Sequence, residues 1–397
     1  MNIVGPGAGN LTIVNGGSSG AFIVEVIFSS LASTNTFTMG GFTFDTYSKQ
    51  GIRLGHSGSD NSTAPYAKQY IRIYNNNFIS SNGTNGNDGG AIWNGGPYYG
   101  VIDHNTFNNC DMILWDSFGV TDNNWWASSC VGCPSYVAGD FDYFSLGSEY
   151  YMYVEDNVFN MTNTDGMVSN GEYASRYVFR YNTINTPYAN TSIFETHGQQ
   201  SAMAASFGCE IYGNQVNATN NSYIQLYKQR SGQTRVFFND VQSTGSTPSM
   251  SGYTGGLDVC PSDSYVASKV THNSYWFYNR QNMTGSFFST SASGGLTCNG
   301  LSNIPTMGRD IFSDTSTPGV TCGTLAARPS TCTTGQGYWA TNQSCTDLTG
   351  LVGDIVTYPT RSTITGSLYK CVSTNTWSVD NDGITYTPYT YPHPLRQ

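Results

Sequence analysis

An octet, GVIDHNTF at Gly100 to Phe107, returns along the chain in altered form. Aligned on its Asn and on the aromatic or branched residue two places later, the copies are Asn76/Phe78, Asn105/Phe107, Asn124/Trp126, Asn157/Phe159, Asn182/Ile184, Asn214/Val216, Asn239/Val241 and Asn273/Tyr275. Successive Asn residues lie 19 to 34 positions apart, one supersecondary unit per repeat. Short strand-like pieces precede them (IRIYN, VIDHN, YVEDN, VFRYN, EIYGN, VFFN) and one apolar residue follows. Composition alone does not produce eight such coincidences in register. A chain with this pattern folds as a solenoid, each coil stacking on the last. Asn tolerates left-handed backbone geometry and bonds nearby backbone, so it is expected at the bend between two strands, with its amide bonding from coil to coil. The apolar residue two places on is expected to point inward and stack with its copies.

Composition agrees. The 397 residues include 45 Gly, 14% aromatic and only 11% charged side chains, an all-β profile with many turns. Because a solenoid adds coils without new cores, one long domain is expected in place of two or three. A formal charge of -10 and a pI near 4.8 argue against nucleic acid and against an anionic membrane surface as partners. No run approaches the roughly 18 apolar residues that span a bilayer. MNIVGPGAGN runs directly into Gly-rich turn sequence with no signal peptide, so a mature or truncated start is expected. Ten cysteines, six of them from Cys260 onward, read as an oxidised, secreted protein. Cys332 and Cys345 are spaced for a local disulfide loop. Cys130 and Cys133 form the single C-x-x-C, and without a second ligand pair nearby a loop-tip disulfide is favoured over zinc; no metal site is expected.

Residues 1–69 carry alternating runs without the Asn signature, as expected for an N-terminal cap and irregular first coils. Signature coils occupy 70–285. Residues 286–397 lose the repeat, are rich in Cys, Gly, Ser and Thr, and end in YTPYTYPHPLRQ, a Pro-punctuated tail expected to lie along the solenoid or cap it. Within the coils a second apolar strand precedes the Asn: GIRLGH at 51, AIWN at 91, ILWD at 113, MVSN at 167, IFETH at 193, IQLYK at 224 and GLDV at 256. Together these read as one parallel sheet. If Leu54, Ile92, Leu114, Val168, Phe194, Ile224 and Leu257 point inward, alternation places Arg53, Trp93, Trp115, Ser169, Glu195, Gln225 and Asp258 on its outer face. His56, Asp116, Glu172, His197, Lys228 and Arg230 follow at the strand ends. A register slip of one residue would invert this assignment locally.

The pattern resembles the right-handed parallel β-helix proteins, the superfamily of pectate lyases, polygalacturonases and phage tailspikes. The resemblance covers about 50–285 and rests on the x-I-x-x-N-x-F octets. YVEDNVF at 153, RYVFRYNTI at 176, ETHG at 195 and EIYGNQV at 210 look closest to secreted β-helix repeat proteins of environmental bacteria with no settled activity. It implies an all-β, right-handed parallel β-helix, to which the cysteines add an irregular, disulfide-rich C-terminal extension, and polysaccharide binding or cleavage in a groove beside one parallel sheet. The polygalacturonase motifs N-T-D, D-D, G-H-G and R-I-K are absent, as is the pattern of the calcium-dependent pectate lyases, so no catalytic residue carries over.

The residues themselves suggest a site on the outer sheet face. Trp93 and Trp115 are expected to form a flat platform on neighbouring coils, about 4.8 Å per step, on which sugar rings stack. Glu195 and Asp116 are the leading carboxylates, with Glu172 and Asp258 behind them and His197 as a positioning or donor group. Carboxylates roughly 5 to 5.5 Å apart suit retaining glycoside hydrolysis and roughly 6.5 to 9.5 Å inverting hydrolysis. Lys228, Arg230 and Arg53 are the basic groups that a substrate would meet. With 16 basic residues in an acidic chain, a polyuronate would need calcium to bridge the charges. Hydrolysis of a neutral polysaccharide, with no required cofactor, is therefore preferred to a lyase reaction. A non-enzymatic adhesin, phage fibre or structural rod fits the same low charge and high Tyr content.

Overall fold

The computed structural model describes residues 2–4, 13–15, 22–26, 36–45, 50–55, 69–79, 91–95, 98–110, 112–115, 146–149, 151–161, 168–172, 176–186, 192–196, 208–218, 224–230, 232–253, 271–293, 297–298, 301–302, 305–378 and 385–397. Most strands among them fall in three stacked parallel sheets. The first sheet takes ten strands, from Asn2–Val4 through Gln69–Tyr74, Tyr98–Asp103, Met152–Glu155, Arg176–Arg180, Gly208–Tyr212, Gln233–Phe237 and Ser274–Phe277 to Ile311–Ser313. The second takes nine, among them Asn77–Ile79, Thr106–Asn108, Val158–Asn160, Thr183–Thr186, Gln215–Ala218 and Asp240–Gln242. The third takes nine, from Phe22–Val26 to Ser289–Ser293. Each coil visits the sheets in this order, and each strand pairs with its counterpart one coil away. The fold is a parallel β-helix, with coils running from Asn2 to Ser313, beyond both ends of the stretch in which the Asn signature is legible.

The repeated Asn forms a buried ladder at the bend from first to second sheet. Its rungs are Asn76, Asn105, Asn157, Asn182, Asn214, Asn239 and Asn279, and each Nδ2 donates to the Oδ1 of the next at 2.8–3.0 Å. Asn157 is typical. Its Nδ2 also donates to the carbonyls of Ile102 (2.9 Å) and Glu155 (3.0 Å), while its Oδ1 accepts from the backbone N–H of Asn105 (2.9 Å). Two expected copies differ. The ladder passes directly from Asn105 to Asn157, skipping Asn124, which lies outside the described residues. The last rung is Asn279, not Asn273, which precedes the strand Ser274–Phe277. Tyr275 imitates the apolar residue two places on, whereas the true rung is followed by Gln281.

The left-handed residue is not the Asn but the one before it. Asn75, His104, Asp156, Tyr181, Gly213, Phe238 and Tyr278 have φ between 50° and 67°. A left-handed residue turns the chain there, leaving Asn free to aim its amide inward. Two positions after the rung, the expected inward stack is present: Phe78, Phe107 and Phe159 lie ring over ring with Phe44 of the preceding coil at 4.5–5.0 Å, and Ile184, Val216 and Val241 continue their register.

The C-terminal extension builds a second core on the outer face of the first sheet. Its own sheet comprises Val320–Gly323, Gly337–Ala340, Ser367–Ser373 and Thr376–Trp377. Trp339 packs 5.1–6.0 Å from Phe237, Phe277 and Phe238, and Tyr386, bridged to Leu368, extends the apolar layer. The disulfides here are Cys322–Cys345 and Cys332–Cys371, not Cys332–Cys345. Asn375 exchanges two hydrogen bonds with the backbone of Cys332, which brings Cys332 against the strand holding Cys371. Cys110 and Cys209 are buried in the β-helix core, and Cys130 and Cys133 lie outside the described residues.

Asn157→Ala should lower stability by about 3 kcal/mol or more in urea unfolding, because it strips partners from several buried backbone groups at once. Asn75→Gly, at an exposed residue with φ of 53°, should instead be neutral or stabilising by about 0.5 kcal/mol. Equal effects would show that the ladder does not hold the bend.

Candidate functional site

One line of residues crosses the third sheet from coil to coil. Strand register carries it from Glu25 to Arg53, Trp93, Ile113, Asn170, Glu195, Lys228, Ser251 and Ser291. At its centre, Glu195 on Ser192–Thr196 is directly opposite Lys228 on Gln225–Gln229, and the chain then delivers Arg230 two residues later. The Lys228 Nζ and the Arg230 Nη1 lie 3.4 and 3.3 Å from Glu195 Oε1, and Ser192 Oγ donates to Oε2 at 3.3 Å. Lys228 keeps 29% of its side-chain surface, whereas Glu195 and Arg230 are buried. Glu195 therefore meets Lys228 and Arg230, 33 and 35 positions further on, because one coil separates them.

Other candidates are placed by the backbone alone. Arg53 and Ile113 flank Trp93, while Trp115 pairs with Glu172, so the two Trp positions are two residues out of step instead of side by side. Side chains of Arg53, Trp93, Trp115 and Glu172, and all of Asp116, His197 and Asp258, lie outside the described residues. The slot expected for GLDV is taken by Ser249–Tyr253, which brings Ser251, not Asp258, beside Lys228. Ser169 pairs with Phe194 and is buried, so the outer line passes through Asn170. The slip of one residue arises in MVSN, where Val168 has the apolar character of the inward position but Ser169 holds the register of Phe194.

A second, denser charge cluster lies between the first sheet and the C-terminal tail. Asp103, Glu155 and Asp156 converge with Arg72, Arg180, Arg361 and Arg396. Arg180 reaches Glu155 Oε2 at 2.6 Å; Arg361 reaches Asp156 Oδ1 at 2.8 Å; Arg396 reaches Glu155 Oε1 at 2.8 Å and Asp156 Oδ2 at 2.5 Å. Arg72 bonds both oxygens of Asp103 (3.0 and 2.9 Å). Burial alone would raise the Glu155 carboxyl, but Arg180 and Arg396 outweigh it and hold it below the usual range. Glu210, also fully buried, is pushed upward by burial while accepting from the Tyr386 hydroxyl and the Gly147 N–H. The sequence signal for this cluster is in the octets, which read IDHN, VEDN and FRYN before the Asn. Their partners, some 200 residues away, carry no matching signal. The cluster is closed over by the tail and serves to dock it.

Comparison of the chain with protein-family models, with curated proteins and with solved structures finds no match. The parallel β-helix is established by its own sheets. Among the described residues no group of three or more His, Cys, Asp or Glu could hold a metal ion, and no helix is long and apolar enough to cross a membrane.

His393 tests the docking of the tail. Its backbone N–H donates to Glu155 Oε1 at 2.9 Å, its ring lies 5.1 Å from that of Tyr153, and burial lowers its pKa from 6.5 to about 4, with Glu155, Arg180, Asp103 and Arg396 as the surrounding charges. The unfolded chain therefore takes up this proton first, so stability contributed by neutral His393 is complete above pH 6.5 and is lost as pH falls toward 4. Asp240 and Asp314, raised to about 6 by burial, change in the opposite sense over the same window. The difference between wild type and His393→Gln in unfolding free energy should isolate the histidine, shrinking by roughly 3 kcal/mol on acidification.

Proposed function

We propose that this chain is an extracellular β-helix that binds neutral polysaccharide along the outer line of the third sheet. The observation that carries the reading is the line itself: Arg53, Trp93, Ile113, Asn170, Glu195, Lys228 and Ser251 occupy successive coils about 4.8 Å apart, enough for several sugar residues. Lys228 and Arg230 share Glu195, which cuts the cluster to a single net positive charge, little to trap a polyuronate, and favours a neutral ligand. Two disulfides in the C-terminal extension support an oxidising compartment. The reading accords with the resemblance to the pectate-lyase-like superfamily, in which polysaccharide lies beside one parallel sheet.

Hydrolysis is the second reading. Glycoside hydrolysis pairs a protonated acid with an ionised carboxylate, and a Glu195 already shared by two cations is poorly suited to be the acid. Trp115 in register with Glu172, with Asp116 next in the chain, favours those two carboxylates instead.

Purified protein should be incubated with a panel of neutral and uronic-acid polysaccharides, with depletion from solution, new reducing ends and unsaturated-product absorbance read in parallel. Depletion by a neutral polymer without either product supports binding, and Lys228→Ala should weaken it about tenfold. Reducing ends that vanish in Asp116→Asn and Glu172→Gln would move hydrolysis ahead. Unsaturated products would overturn both readings in favour of a lyase.

A further inference from the structure

The second sheet carries another Asn ladder, on its outer face. Asn108, Asn160, Asn185 and Asn217 stand in register on four consecutive coils of that sheet, with Gln242 next. Their amides are linked at 2.8–3.0 Å: Asn217 donates to Asn185, Asn185 to Asn160, Asn160 to Asn108, and Asn108 diagonally to Asn77. The polarity is opposite to that of the inner ladder, where each amide donates toward the C-terminal coil.

The two ladders differ in saturation. An Asn amide has two N–H groups and two lone pairs. In the inner ladder, Asn157 spends both on neighbours and backbone within the core. In the outer ladder, Asn160 and Asn185 each use one N–H and one lone pair along the row, leaving one of each at a half-exposed position. Interchange of amide O and N would leave the same count. Asn77, Thr106, Asn108, Val158, Asn160, Asn185 and Asn217 are all half-buried and uncharged.

The C-terminal extension forms one wall of this strip. Thr183 Oγ1 donates to Asp354 Oδ2 at 2.6 Å and covers that side of the sheet, whereas Asn185 and Asn217 are left half-exposed. Tyr358, itself half-buried, stands beside the side chains of Gln215 and Asn217, and Val356 near it is 68% exposed. An uncharged row of fixed amides, in which Asn108, Asn160 and Asn185 each offer one donor and one acceptor, with an aromatic ring at its edge, matches the surface of a sugar polymer, whose hydroxyls both donate and accept and whose ring faces are apolar. The ladder holds the amides in place before binding, so little side-chain entropy remains to be lost.

We infer that the outer amide ladder of the second sheet, Asn77 to Asn217 with Tyr358 at its edge, is a second carbohydrate-binding face that takes a neutral polysaccharide lying along the helix axis. The ligand class is shared with the third-sheet reading, but the site does not depend on it.

The test is depletion of the full-length protein by insoluble neutral polysaccharides, compared among wild type, Asn160→Leu/Asn185→Leu, Val158→Lys and Lys228→Ala. Thermal unfolding checks each variant. Val158→Lys places a charge on the strip without touching a ladder amide, so it reports even where the double variant fails to fold. Residual binding by Lys228→Ala that falls at least tenfold when Val158→Lys, or the double substitution where folded, is added to it supports the second-sheet face. Binding lost only in Lys228→Ala supports the third sheet and overturns this inference, as does absence of binding by any folded protein. Concentration-dependent self-association in sedimentation that disappears in Val158→Lys would also overturn it, because the occupant would then be a second copy.

Discussion

The hydrogen bond from one inner Asn amide to the next is the interaction on which the β-helix depends. At the bend from first to second sheet, the backbone turns inside a packed interior, where unpaired N–H and C=O groups carry a desolvation penalty of about 1–3 kcal/mol each. Asn answers this with one short side chain that donates and accepts at once. Asp has no N–H to give and would stack like charges one coil apart. Because the ladder fixes only the bend, the chain between rungs is free to vary, from 25 residues between Asn157 and Asn182 to 52 between Asn105 and Asn157. The repeat looks loose in sequence for that reason while its rungs are evenly linked in space.

On the first sheet the outer face is buried as well as the inner one. Its aromatic residues are covered by Trp339 and Tyr386, and the charged residues of the octets are matched by Arg361 and Arg396 from the extension. Buried ion pairs give little net stability relative to apolar packing, but an uncompensated buried charge is severely destabilising. The cluster therefore fixes where the tail lies: any shift of Arg396 would take away the cation that Glu155 and Asp156 share and leave each with a single arginine.

Legibility in the sequence follows the same physics. Asn105, Asn157, Asn182, Asn214 and Asn239 are visible because only one residue type does their task and an apolar residue marks each at a fixed offset. Asn279 is hidden by Gln281, and Asn273 passes for a rung because Tyr275 supplies the marker. The left-handed positions are unreadable, since His104, Asp156, Tyr181 and Phe238 share no chemistry, and a fixed ladder on the next residue imposes their conformation. On the third sheet, Glu195 and Lys228 are both recognisable as outer residues. Their contact depends on coil lengths through Gly-, Ser- and Asn-rich stretches that periodicity cannot measure, and the same uncertainty displaces Ser169 and Asp258 from the outer line.

The distribution of carboxylates bears on whether the chain has groups free for acid-base chemistry. Glu155, Asp156 and Asp103 are bound by arginines, Glu195 is shared by Lys228 and Arg230, Glu210 is sealed beneath Tyr386, and Asp240 accepts from the Met283 N–H. Each of these acidic groups is committed to holding the protein together. Acid-base chemistry needs carboxylates that meet substrate, and these six are spent on the protein itself. Binding makes no such demand. It needs ordered donors and acceptors on an accessible surface, and the β-helix produces them by stacking one coil on another, since a residue repeated in register becomes a row of identical groups.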